Sequence, residues 1–161
     1  MSEFTLDLDR EARLGFDEAI YCAGKTATQI EAILNQAPQH RDRFLLTRLS
    51  PDKFNLFSSA IAARIDYDAL SQTGILGAPK SLAPVSCVAL ITAGTSDIPI
   101  SREVMRTLNY YGVAATEFND IGVAGLWRLT EKLDAIRRHA VTIVVAGMDA
   151  ALVSVMGGLT R

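Results

Sequence analysis

At 161 residues, 49% hydrophobic and 21% charged, the chain has the make-up of a globular protein with a real core, in one domain or two small ones. A formal net charge of −2 and sparse aromatics argue against a basic or base-stacking nucleic-acid surface and against an anionic-membrane binder. The longest apolar stretch, Ala140 to Val145, is too short to span a bilayer.

The opening, "MSEFTLDLDREAR", has neither the basic nor the apolar region of a signal peptide. Cys22 and Cys87 both stand among apolar residues, which suits buried, reduced thiols and a cytoplasmic protein. "EAIYCA" reads as a strand, and Thr26 to Ala37 as a helix with Ile30, Ile33 and Leu34 on one face and Thr26 or Thr28 as N-cap. Between them, Gly24-Lys25-Thr26 has the ending of a phosphate-binding loop. Such a loop also needs a glycine five residues before Gly24, and that position is Ala19. A glycine turn into a capped helix is the better reading. "RFLLTRL" then reads as a strand, Pro51 opens a helix over "PDKFNLFSSAIAARI", and "DYDALSQTGIL" supplies a third strand.

"GAPKSLAP" gathers one glycine and two prolines in eight residues and marks a linker. It separates a small mixed α+β domain, residues 1–80, from a second domain, residues 84–161. In the second domain the pattern turns regular. "VSCVALITAG", "VAATEF" and "AVTIVVAG" are apolar strands, each followed by a helical segment. Strands buried on both faces and alternating with helices predict a parallel sheet, the first half of a flavodoxin-like three-layer α/β domain. Three strands leave an open edge and the chain stops where a fourth should begin, so the fold is expected to be carboxy-terminally incomplete.

Each strand of that half ends in a loop with a glycine and a carboxylate. After the first come Gly94, Thr95, Ser96 and Asp97; after the second, Asp120, Gly122, Gly125 and Arg128; after the third, Gly147, Met148 and Asp149. Ligands bind open α/β sheets where strands end and helices begin, and the amides of a helix start suit an anion. Each loop taken alone reads equally well as a capped turn, with Asp97 or Asp149 as an N-cap and Arg128 on a solvated face. The repetition carries the ligand reading, because parallel strands bring all three ends to one edge. Trp127 reads as core rather than as a stacking platform. His40 falls in a loop and His139 at a charged helix end, leaving no histidine base and no metal pair.

"AGKTATQI", "TAGTSDIP", "NDIGVAGLWRL" and "VVAGMDAALVSV", in this order, resemble the LarB family. Its members are synthases of pyridinium biscarboxylic acid mononucleotide in the nickel-pincer cofactor pathway of lactate racemase. The resemblance runs from about Leu8 to Arg161, and its second domain is similar to carboxyaminoimidazole ribonucleotide mutase. It implies a homo-oligomer (an octamer in the family) that carboxylates the pyridinium ring of nicotinic acid adenine dinucleotide with carbon dioxide or bicarbonate. The phosphoanhydride is hydrolysed with release of AMP, and magnesium would help neutralise the charge under attack.

Carried over, Gly94, Thr95, Ser96 and Asp97 would cradle the ribose phosphate, and Asp120, Gly122, Gly125 and Arg128 would complete the pocket. Gly147, Met148 and Asp149 would face the ring, with Asp97 and Asp149 as the catalytic carboxylates. The chain departs from the family at Trp127 (histidine there), Asp149 (glutamate) and Val153 (proline). The family's reactive cysteine is expected beyond Arg161. The mutase places a histidine in its third-strand loop, and this chain has none there.

Overall fold

The computed structural model describes residues 4–7, 9–36 and 42–160. The chain divides into two compact units, Met1–Pro79 and Lys80–Arg161. His40 and the expected helix end at Ala37 lie outside the described residues.

The first unit runs α1 (Arg10–Leu14), β1 (Ile20–Tyr21), α2 (Ala27–Gln36), β2 (Phe44–Thr47), α3 (Pro51–Phe54), α4 (Ser59–Ala62), β3 (Ile65–Asp68) and β4 (Thr73–Leu76). Its sheet has the order β1-β2-β4-β3, parallel between β1 and β2 and antiparallel elsewhere. The apolar stripe of α2, Ile30, Ile33 and Leu34, joins Phe44 and Leu46 of β2 in one core with Phe57, Ile61 and Ile65. Cys22 is buried in that core, and burial pushes its thiol up to about 11 against the weaker pull of Lys53 and Lys25.

Two expectations for this unit need correction. The helix foreseen from Pro51 is two single turns, because Glu31 Oε1 accepts from both the backbone N–H (2.7 Å) and the hydroxyl (2.8 Å) of Ser58. That side-chain acceptor competes with helix continuation and draws the chain out between the turns. The foreseen single third strand is a hairpin. Asp68 Oδ1 accepts from the N–H and hydroxyl of Ser71 at 2.9 and 2.7 Å, an Asx-type turn that reverses the chain between β3 and β4.

Gly24-Lys25-Thr26 is a turn into a capped helix. The Thr26 hydroxyl accepts from Gln29 N–H at 3.2 Å, and Gln29 Oε1 accepts from Thr26 N–H at 3.0 Å, a reciprocal box. The preceding loop presents oxygens rather than amides: Lys53 Nζ donates to the carbonyls of Cys22 (2.6 Å) and Ala23 (2.8 Å). A phosphate cradle has the opposite polarity.

The second unit alternates β5 (Val88–Thr92), α5 (Ile98–Tyr110), β6 (Ala115–Phe118), α6 (Leu126–Ile136), β7 (Val141–Val145) and α7 (Ala151–Leu159). The three strands are parallel in the order β6-β5-β7. Ala89, Ile91, Phe118 and Val144 meet Leu129 and Ile136 of α6 and Leu152 and Met156 of α7 on one face. Leu90 and Glu117, one residue earlier on their strands, point to the other face, where Ser101 of α5 donates to Glu117 Oε1 at 3.4 Å. The result is a three-layer α/β arrangement, the flavodoxin-like half. Full burial holds only for the central β5; β6 and β7 stay partly exposed as the two edges. No helix among the described residues is long and apolar enough to cross a membrane.

Candidate functional site

The three carboxyl ends of the sheet share one backbone device. Gly94, Gly122 and Gly147 each stand four residues before the α-helix that follows. In each loop the glycine carbonyl accepts from the residue three on: Asp97 N–H at 3.1 Å, Gly125 N–H at 3.1 Å and Ala150 N–H at 3.0 Å. A single 3-10 turn thus leads into α5, α6 and α7. None of the three helices has a side-chain cap at its start. The three helix dipoles add positive potential at this edge, although at α5 the Ile98 N–H is taken by the Thr95 carbonyl and Pro99 has none.

The ends enclose a cleft of about 360 Å³. The first loop contributes Gly94, Ser96 and Asp97, the second Gly122 and Arg128, and the third Gly147 and Met148; Ala93, Val123, Ala124, Ala146, Ala151 and Leu152 complete its walls. The central β5 separates loops on its two sides, so the cleft sits at the point where the strand order reverses. A larger hollow of about 520 Å³ lies at the other end of the sheet, lined by Arg137, His139, Thr142 and Thr160. Helix carboxyl ends face that hollow, and their dipoles disfavour anions. The smaller cleft is the better candidate for a phosphorylated ligand.

Inside the cleft, Asp97 Oδ2 accepts from Gly94 N–H at 2.8 Å. Its Oδ1 faces Gly147, where an added Cβ would sit 4.0 Å away. Arg128 Nη1 donates to Asp120 Oδ2 at 2.6 Å. Asp120 itself is held in the left-handed region (φ 58°), and its N–H donates to Thr92 Oγ1 at 3.0 Å. Thr92 in turn donates to Asn119 Oδ1 at 3.2 Å, which ties the end of β5 to the loop after β6. Gly122 has a steric reason: a Cβ there would lie 2.5 Å from the Ala93 carbonyl oxygen.

Four of the site residues foreseen from sequence do not line the cleft: Thr95, Asp120, Gly125 and Asp149. Asp120 and Gly125 act behind it, on Arg128. Asp149 is exposed, with φ 63°, between Met148 (φ 34°) and Ala150 (φ 50°). It does not cap α7, whose N-cap is Ala150, so the N-cap alternative for Asp149 falls. Asp97 turns its carboxylate back to Gly94 rather than capping α5.

Two more expectations are overturned. Trp127 is 64% exposed, not core, because Leu129 and Ile136 take the inward face of α6. Cys87 is exposed, not buried; it precedes β5, at the end of the strand away from the cleft. The apolar cleft walls and the buried hydroxyl of Thr92 were missed from sequence. The spacing of glycine four residues ahead of each helix is the signal that could have found the loops' common geometry.

Among the described residues no group of three or more His, Cys, Asp or Glu side chains is placed to hold a metal ion.

Residues 1–78 match the family described as the LarB/PurE-like N-terminal domain. The chain is also 32% identical over 164 residues to an uncharacterized protein of Methanocaldococcus jannaschii, covering 96% of this chain and 63% of that protein. It therefore spans less than two thirds of that relative's length. The family similarity thus lies in the first unit.

Proposed function

We propose that this LarB/PurE-like chain binds a nucleotide at the carboxyl edge of its second sheet, as the substrate site of a carboxylase and phosphoanhydride hydrolase acting on nicotinic acid adenine dinucleotide. The family match supports an enzyme. The observation that carries the site is the convergence of three glycine turns, each leading into a helix, on one cleft that also holds Arg128. Amides and a guanidinium are what a phosphate needs. Asp97 Oδ1 is an acceptor for a ribose hydroxyl, since an ionised carboxylate only accepts.

In the hydrolytic half, water attacks an anhydride phosphorus and the bond to the AMP oxygen breaks, the electron pair leaving with AMP. Arg128 and the amides of the three loops stabilise the charge that develops on phosphoryl oxygens. Magnesium would arrive on the substrate phosphates, with Asp97 the one carboxylate lining the cleft to meet it.

Carboxylation makes a further demand. The cationic pyridinium ring must first accept a nucleophile before a ring carbon can attack carbon dioxide. Neither thiol suits. Cys22 is buried and protonated at neutral pH, and Cys87 lies the length of β5 from the cleft, about 17 Å at 3.3 Å per residue. No thiol and no histidine is among the residues lining the cleft. A second reading is a nucleotide-binding module without the carboxylation step. A third, a carboxyaminoimidazole ribonucleotide mutase-like activity, lacks the histidine in the β7 loop.

The test is incubation with the dinucleotide and bicarbonate, with products separated and weighed by mass spectrometry. AMP together with the dicarboxylated mononucleotide supports the enzyme, and binding by calorimetry without turnover supports the module. Absence of any binding of the dinucleotide or AMP overturns the site.

A further inference from the structure

The cleft holds one cationic side chain, Arg128, already shared with Asp120, and has walls for one half of a dinucleotide. The other half must extend past the rim. The first turn of α6 forms part of that rim: Val123 and Arg128 line the cleft, and Trp127 stands directly before Arg128. On an α-helix Trp127 lies two residues, about 200°, from the buried Leu129, so its indole points away from the unit's own core. It is 64% exposed, and Met148, itself on the cleft wall, is 96% exposed. This large apolar ring, left in water at the cleft's rim, is not part of its own unit's core.

We propose that Trp127 is a stacking platform for the purine base of a dinucleotide whose other, phosphate-bearing half occupies the cleft. The inference rests on the proposed nucleotide site and adds a subsite to it. An indole face accepts a flat heteroaromatic base by offset stacking and requires no hydrogen bond from it. The base would cover the indole while the linking phosphates pass Arg128, one residue along the same helix.

Trp127 is the chain's single tryptophan, so its fluorescence reports this subsite without background. The full chain is titrated with nicotinic acid adenine dinucleotide and with nicotinic acid mononucleotide, by fluorescence and by calorimetry. The dinucleotide should shift the emission. Trp127→Ala should weaken dinucleotide binding about tenfold while Trp127→Phe retains most of it, and mononucleotide affinity should be unchanged in both. Dinucleotide binding that is indifferent to Trp127→Ala overturns the platform and leaves the site standing. If neither nucleotide binds the wild-type chain, the site falls first and the platform with it. Sedimentation showing that Trp127→Ala dissociates an oligomer would also overturn the proposal, by assigning the ring to an interface between copies.

Discussion

Arg128 Nη1 lies 2.6 Å from Asp120 Oδ2, and its guanidinium crosses Gly125 so closely that a Cβ there would come within 2.7 Å of Nε. The pair is partly solvated, so its contribution to stability is small, below about 1 kcal/mol. Its effect is to hold one edge of the guanidinium and leave the rest for the cleft. Arg128→Ala should lower AMP affinity by about tenfold to a hundredfold, the loss of charge-assisted hydrogen bonds of about 1.5–3 kcal/mol. Asp120→Asn should cost a few-fold, by freeing the guanidinium. Calorimetry reads both effects, and urea unfolding should show near wild-type stability for both variants.

The cleft glycines divide by what stands behind them. At Gly122 a Cβ would meet the Ala93 carbonyl oxygen at 2.5 Å, a backbone atom of the neighbouring strand end that cannot swing aside. Gly122→Ala should therefore destabilise the chain by about 1–3 kcal/mol. Gly147 has φ −84° and its nearest atom, Asp97 Oδ1, lies 4.0 Å from the added carbon. Gly147→Ala should leave stability within about 0.5 kcal/mol of wild type and reduce nucleotide affinity by occupying the cleft. Equal losses of stability in the two variants would contradict this division.

Three successive residues after β7, Met148, Asp149 and Ala150, hold positive φ. A left-handed L-residue costs about 1–2 kcal/mol, and glycine avoids that at an unfolded-state cost of about 0.4–1 kcal/mol. Alanine has no side-chain hydrogen bond to compensate. Ala150→Gly should stabilise the chain by up to about 1 kcal/mol, read as a higher urea midpoint at unchanged m-value. A fall in stability would mean that the Ala150 methyl contributes more packing than the backbone loses.

How far the sequence could be read depends on the range of the interaction. The period of the second unit's strands and helices is local, and fully apolar strands alternating with helices imply a parallel sheet. The carboxyl edge followed from topology, since parallel strands must end together. Trp127 was misread because an apolar residue in a helix suggests burial, whereas its angle from Leu129 is what decides. The break between α3 and α4 is set by Glu31, 27 residues from Ser58, and no window around Pro51 contains it. Asp149 reads from its position as either an N-cap or a catalytic carboxylate; the backbone carries it into the left-handed region and off the cleft lining, and only coordinates reveal that.

Cys22 makes the stability of the first unit depend on alkaline pH. Its thiol, ordinarily near 9, is pushed up to about 11 by burial. The folded state therefore keeps a proton that the unfolded state releases between about pH 9 and 11. The stabilisation is complete below the lower value and disappears as pH rises through the upper one, a component of at most about 2–3 kcal/mol. Cys22→Ala should cost about 1 kcal/mol at neutral pH, from the smaller side chain in a filled core. Its stability should then fall less steeply than wild type between pH 9 and 11. The Tyr67 hydroxyl, also raised by burial and donating to the Leu49 carbonyl at 2.9 Å, titrates in both proteins and cancels in the difference. Parallel pH profiles from urea unfolding of the two chains would show that the thiol is not desolvated in the folded state.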